Sequence, residues 1–392
     1  MIIKKKKVLL RAPLLTISGY GVHSRQIFDY LYNRNDIDLS VQILNWGMTS
    51  WNIDHKSESG LIGKIMSCSK PTQGKFDLTV QVQLPDEWDP SLGIVNIGVS
   101  AFVETDICNS KWLDKCNQMD EIIVPSKFTK SVILNSGICI KNIEVIPEHY
   151  NINIGLKNRQ KNILNLDFDK KFNFLVLGQL TGDKPENDRK NIENSIKWFC
   201  EAFEGNMSVG LVLKTNMGKS TINDREITVN RVKQLVSKYR NGKYPVIEVV
   251  HGNFTSKEIG DFYANNKIKC FLSTTRGEGY GLPMVDAAAA GIPIAAPDHS
   301  GHMEFLESEN ICKLDYKLKS IPKSRVDNRI FMEGSEWAEV DEKDFKNKVI
   351  DMFQNYKTYK KKSQRMQQNI RNNFSREAVF KKYNQFFEKY LG

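Results

Sequence analysis

Short apolar runs recur along the chain at 7–12, 40–46, 78–84, 93–99, 121–125 and 143–147, and again at 171–178, 209–214, 244–250, 269–273 and 292–296. Runs of this length read as buried strands. The segments between them place apolar residues three and four apart, as at Ile27, Tyr30 and Leu31 or Ile192, Ile196, Phe199 and Phe203, which predicts amphipathic helices. Strand and helix in alternation predict parallel sheets covered on both faces. The stretch 151–171 interrupts the pattern. It is rich in Asn and Lys and has no period, so it reads as a linker. The expected organisation is two doubly wound α/β domains, 1–158 and 159–375, as befits a chain of 392 residues.

Composition narrows the class. Apolar residues make up 40% and charged residues 26%, as in a soluble globular protein. No apolar run approaches the ~20 residues of a membrane span. The lysine-rich start is followed only by Val8, Leu9 and Leu10, too short an apolar stretch for a secretory signal. The seven cysteines are scattered without a Cys-x-x-Cys pair, which suits reduced thiols in the cytoplasm. The net charge of +10 favours polyanionic partners, whether phosphate-bearing substrates or an anionic membrane surface. No zinc finger, aromatic RNA-binding motif or basic recognition helix accompanies it, so nucleic acid is not an expected partner.

The chemistry concentrates in one stretch. After the strand at 269–273 comes Arg276-Gly277-Glu278-Gly279-Tyr280-Gly281-Leu282-Pro283, then a helix through Ala290 that Gly291 ends. Strand, glycine loop and helix direct backbone N–H groups and a positive helix end at one spot, a natural seat for a diphosphate. The empty loop is expected to face solvent. Glu278 and Asp286 bracket it. A carboxylate there can accept from sugar hydroxyls, or can simply decorate a helix start. A second glycine turn, Gly19-Tyr20-Gly21, follows the first strand and carries His23 and Arg25. Glu104 and Asp106 lie beyond the strand at 93–99, at the sheet edge where open sheets bind ligands. Arg189 and Lys190 precede a helix, Lys214 ends a strand, and His251 lies in the next loop. Asp167 and Asp169 form an Asp-x-Asp pair within the linker, a chance occurrence of a metal-site pattern.

The loop resembles the Glu-Gly-Phe-Gly-Leu-Pro signature of family 4 retaining glycosyltransferases, whose Glu-x7-Glu motif places a second acid where this chain has Asp286 and whose Phe is here Tyr280. The succession Val124-Pro125-Ser126, Ser136-Gly137 and Ile146-Pro147 is similar to that family's first domain. The resemblance implies the GT-B architecture, two Rossmann-like domains facing across a cleft, with a last helix, 376–392, returning to the first domain. It implies that Lys190, Arg189 and the loop of Gly279, Tyr280, Gly281 and Leu282 stabilise a leaving diphosphate. Glu278 would hold the donor sugar, Asp286 the ribose, and Gly21, Lys214 and His251 would line the donor site. Glu104 would act at the reacting centre, with Tyr20, His23, Arg25 and Asp106 on the acceptor side. No metal and no other cofactor is expected.

The activity so implied is transfer of a hexose from a UDP- or GDP-linked donor to a hydroxyl of a glycan, lipid-linked or protein-linked acceptor, with retention. A nucleotide-sugar 2-epimerase of the same architecture, or a nucleotide-sugar-binding subunit without catalysis, fits the same residues. The expected location is the cytoplasm, with peripheral contact at anionic membranes.

Overall fold

The computed structural model describes residues 5–70, 74–156, 163–181 and 184–392. In the first half, β1 (Lys6–Ala12), α1 (Gly19–Tyr32), β2 (Ile37–Ile43), α2 (Leu61–Ser67), β3 (Phe76–Val82), β4 (Gly93–Val99), α3 (Lys111–Gln118), β5 (Glu121–Val124), α4 (Lys127–Asn135) and β6 (Asn142–Val145) follow one another. The strands form a six-stranded parallel sheet in the order β2-β1-β3-β4-β5-β6. The second half contributes β7 (Phe172–Leu177), α5 (Ile192–Ala202), β8 (Val209–Lys214), α6 (Ile222–Tyr239), β9 (Val246–Val250), α7 (Ser256–Tyr263), β10 (Ile268–Leu272), α8 (Leu282–Ala289), β11 (Ile294–Pro297) and β12 (Cys312–Leu314). Its parallel sheet runs β12-β11-β10-β7-β8-β9. Two Rossmann-like domains therefore stand as the alternation of strand and helix predicts, in the GT-B arrangement.

In the second sheet β7 and β8 are nearly continuous apolar runs buried on both faces, whereas β2 and β3 of the first sheet alternate apolar with polar residues. Leu10, Val80 and Ile97 lie in the first core, and Phe174, Leu211 and Cys270 in one of the two cores of the second domain. The strands at 40–46 and 78–84 begin earlier than expected, at Ile37 and Phe76. The first sheet is completed from far along the chain. Helix α11 (Arg376–Leu391) follows α9 (Glu342–Gln354) and α10 (Tyr356–Asn373) and inserts Val379, Tyr383 and Phe387 into the core of Val8 and Ile27.

The domain boundary at 158 lies outside the described residues. On its far side the presumed linker is anchored rather than solvated. Phe168 is buried, Leu164 N–H donates to Asp261 Oδ2 at 3.2 Å, and Asn265 Nδ2 donates to Leu166 O at 2.9 Å. Single apolar anchors at irregular spacing leave no periodic signal.

An antiparallel pair, β13 (Tyr316–Ser320) and β14 (Glu336–Val340), was not foreseen. The segment 321–335 between its strands folds around Ile321, Phe331 and Trp337 and reaches the first domain. There Arg329 Nε lies 2.7 Å from Asp86 Oδ2 and its Nη2 2.8 Å from Glu87 Oε1. Asn109 Nδ2 donates to Asn328 O at 3.1 Å, and Asp106 Oδ1 accepts from Glu336 N–H at 2.6 Å.

Candidate active site

The glycine loop leaves β10 at the C-terminal edge of the second sheet and meets the first domain directly. A side chain at Gly277 would place its Cβ 1.9 Å from Glu104 O, and one at Gly279 would place it 2.9 Å from Ala101 Cβ. The domains approach here only because both positions lack a Cβ. Gly281, at φ +104°, turns the chain into α8 through a left-handed conformation that a side chain would strain. Ser126 Oγ, which also caps α4, donates to Gly279 O at 2.8 Å, and Thr129 Oγ1 lies 3.1 Å from the same oxygen. The expectation of a solvent-facing loop is thus corrected. Glu278 and Tyr280 are buried, because the first domain closes over them.

Glu278 is the centre of the polar constellation. Lys190 Nζ lies 2.5 Å from its Oε1, Arg189 Nη1 3.3 Å from its Oε2, and Thr275 Oγ1 donates to Oε1 at 2.9 Å. Burial alone would raise the carboxyl pKa. The charges of Lys190 and Arg189 outweigh it and hold the group at about 2. Arg189 also reaches Glu104, with Nη2 3.1 Å from Oε1, so one guanidinium links carboxylates from both domains. Burial lowers the Lys190 pKa despite its partner, with the Arg189 charge acting in the same direction. Both cations sit before α5, at the end of the β7 loop, where their heads converge on the glycine loop.

Around this centre are groups that sequence reasoning passed over. Arg276, 2% exposed, pairs with Glu339 at 2.7 Å, stacks over Trp337 at 5.2 Å, and donates to the Pro185 carbonyl at 2.8 Å. It pins the glycine loop to β14 and to the loop carrying Arg189. Ser300 Oγ accepts from Glu278 N–H at 3.0 Å, and His302 is bonded to Pro297 O at 2.7 Å, with burial lowering its pKa to about 4. Glu148 is buried with Oε2 unpartnered among the described residues, and burial together with the charge of Asp286 pushes its carboxyl well up. The one sequence signal for Glu148 is its place directly after Ile146-Pro147 at the end of the first sheet.

Asp286 lies one turn into α8. Its Oδ1 accepts from Asn151 N–H at 2.8 Å, and burial raises its pKa to about 7 against that hydrogen bond. Tyr280 donates its hydroxyl to Glu148 O at 2.5 Å, on the same side. Leu282 begins α8, next to the core of Met284 and Val285. Lys214 donates to the Gly252 carbonyl and lies 4.4 Å over the Phe254 ring, with burial lowering its pKa to about 8. His251 is bonded through Nε2 to Asp224 Oδ1 at 3.0 Å.

The first-domain candidates divide. Tyr20 stacks on Trp46 at 3.7 Å, and its hydroxyl bonds Ser100 Oγ and Ala101 N–H, each at 2.9 Å, beside the glycine loop. Gly21 packs under Thr16, whose carbonyl oxygen would lie 2.1 Å from an added Cβ. His23 and Arg25 are turned into the domain. His23 Nε2 is 3.2 Å from the Tyr383 hydroxyl of α11, and burial, with His149 adding to it, lowers its pKa to about 3. Arg25 donates to the carbonyls of Leu14 and Thr16 at 3.0 and 2.9 Å. Asp106 holds the start of β14 rather than an open cleft. Asp167 and Asp169 pair with Lys267 and Lys170 at the opposite, N-terminal edge of the second sheet.

Comparison with known proteins agrees with this fold. A family model described as family 4 glycosyltransferase in conflict systems matches residues 150–382, more than half of the chain. No curated protein matches it. Among solved structures, sucrose-phosphate synthase from Thermosynechococcus elongatus is similar at TM-score 0.65 and 13% identity, covering 98% of this chain and 99% of that one. Anabaena HepE in complex with UDP and glucose has a TM-score of 0.64 at 12% identity, covering 98% and 100%. TarM has a TM-score of 0.51 at 14% identity, and the similar region covers 79% of this chain but only 54% of TarM, so the chain spans about half that protein's length. Among the described residues no helix is long and apolar enough to cross a membrane.

Proposed function

Since the chain belongs to the family 4 glycosyltransferases of conflict systems, we propose that it moves a hexose from a UDP- or GDP-linked donor to a hydroxyl of a glycan, lipid-linked or protein-linked acceptor, with retention and without a metal. The observation that carries this reading is the position of Glu278 between Lys190 and Arg189 at the mouth of the glycine loop. UDP in the Anabaena HepE complex, whose fold this chain shares, supports a uridine donor.

The donor diphosphate would take the place beside Lys190, Arg189 and the start of α8. There two cations and a helix N-terminus neutralise the charge that develops as the anomeric C–O bond breaks. Arg supplies a planar fork and Lys a point charge, a pairing suited to phosphate oxygens. That electrostatic work needs no metal ion. Glu278, kept ionised by the same cations, accepts from hydroxyls of the donor sugar and sets its orientation. Asp286 accepts from the ribose, and Lys214 and His251 line the nucleoside end. The acceptor oxygen attacks the anomeric carbon on the face the diphosphate leaves, and its proton passes to the departing phosphate oxygen. Tyr20 and Glu104 border the side from which it comes. The basic surface suits peripheral contact with anionic membranes.

Thermal-shift measurement with UDP-, GDP- and CDP-linked sugars tests the donor. A stabilising shift with one nucleotide series, followed by sugar transfer with that donor, is expected. Absence of a shift with every nucleotide refutes the reading.

A further inference from the structure

The segment between β13 and β14 brings one more cation to the cleft. Arg325 is half-buried, its guanidinium 3.9 Å over the Phe331 ring. Among the described residues no carboxylate or carbonyl accepts from that guanidinium. Its electrostatic neighbours are Asp327, Glu104 and Arg189. Asp327 is turned to its own loop, where its Oδ1 accepts from the backbone N–H groups of Arg329, Ile330 and Phe331 at 2.9, 2.8 and 3.0 Å. Glu104 is held by Arg189. Among the described residues the five donors of Arg325 thus have no hydrogen-bond partner, while burial works against its charge. The position is not accidental, because Arg329, Asn328 and Glu336 fasten the same segment to Asp86, Glu87, Asn109 and Asp106 of the first domain.

We propose that Arg325 is an anion-recognising residue on the acceptor side of the cleft, so that the molecule receiving the sugar carries a phosphate or carboxylate. The inference rests on the glycosyltransferase reading above and adds the acceptor's charge to it. The placement favours the acceptor over the donor: Arg325 meets Glu104 of the first domain ahead of Arg189, and Arg329 and Asn328 fasten its segment to that domain, whereas Lys190 and Arg189 hold Glu278 on the donor side. The Phe331 ring holds the guanidinium by a cation–π contact, which leaves its N–H donors for a bidentate contact.

The test measures binding of glucose 6-phosphate, glucuronate and glucose by calorimetry, with and without saturating UDP, to the wild-type protein and to Arg325→Gln, Arg325→Lys and Lys323→Gln. Wild type is expected to bind at least one of the two anionic sugars at least ten-fold more tightly than glucose. Which one prevails tells phosphate from carboxylate. Arg325→Gln should abolish that preference and leave UDP affinity within two-fold. Arg325→Lys should keep part of it, and Lys323→Gln, which removes an exposed neighbouring cation, all of it. The proposal is overturned if wild type shows no preference, if the preference survives Arg325→Gln, if Lys323→Gln erases it equally, or if Arg325→Gln weakens UDP instead. Failure of wild type to bind UDP would count against the donor reading alone, since the sugar comparison without UDP still reports on Arg325.

Discussion

Lys190 Nζ and Glu278 Oε1 lie 2.5 Å apart, inside a site where Arg189 ties the same glutamate to Glu104 of the other domain. The pair is an ionised couple whose cation, in the function proposed above, also meets the donor diphosphate, so changes at the glutamate should act on turnover and on the fold together.

Glu278→Gln is expected to lower turnover by at least ~100-fold, the scale of losing one preorganised electrostatic group. It should also lower the melting temperature, because two partly buried cations lose their shared partner, an effect on the order of 2 kcal/mol once solvent screening is allowed for. UDP should restore part of that stability by supplying negative charge. Steady-state kinetics and melting curves with and without UDP check all three. Near-normal turnover in the variant would remove Glu278 from the site.

Asp286 gives a pH signature. Its folded carboxyl titrates at about 7 against an ordinary 3.8, so the folded state holds a proton the unfolded chain has lost. Its contribution to stability is present below 3.8 and is lost as pH rises through about 7. In the proposed donor site the ribose hydroxyls meet the carboxylate form, so affinity for UDP-glucose should rise between pH 6 and 8, roughly the window about that value. Asp286→Asn should flatten this rise and weaken binding by roughly 1.5–3 kcal/mol, with the loss mainly in KM. Binding by calorimetry across pH decides it. A wild-type affinity independent of pH would leave Asp286 as a partner of Asn151 alone.

Chelation separates two chemistries. If Lys190, Arg189 and the start of α8 meet the diphosphate as proposed, activity should persist in EDTA. Complete loss, restored by Mg²⁺ or Mn²⁺, would sink the metal-free mechanism.

Gly277→Ala tests domain approach. The added methyl would meet Glu104 O at 1.9 Å, so the domains must separate to admit it. A larger radius of gyration by X-ray scattering and a fall in kcat are expected, with UDP affinity less affected. An unchanged radius together with unchanged kcat would contradict the need for this contact.

Much of the architecture was legible because the parallel strands are short apolar or alternating runs and the helices between them keep a regular period. The glycine loop was legible for the same reason, lying between such a strand and helix. Partners remote in sequence were not. His23 offers itself as an acceptor-side group until α11 returns with Tyr383 to take its Nε2. Asp106 reads as a free carboxylate at a strand end, yet Glu336 N–H occupies it. The segment at 321–335 gave no signal, since its core is three apolar residues set in polar sequence. Arg276 stood in plain view inside the loop, but only its burial against Trp337 and Glu339 reveals that it is structural.

The contact of Ala101 with Gly279 constrains how this protein can diverge. An added Cβ at 279 would lie 2.9 Å from the methyl already present at 101, so the space holds one methyl and not two. The two positions, in different domains, share a fixed volume. A lineage that enlarges one must shrink the other or surrender closure. A chimera joining the first domain of one homologue to the second of another keeps this closure only if the pair sums to no more than a single methyl.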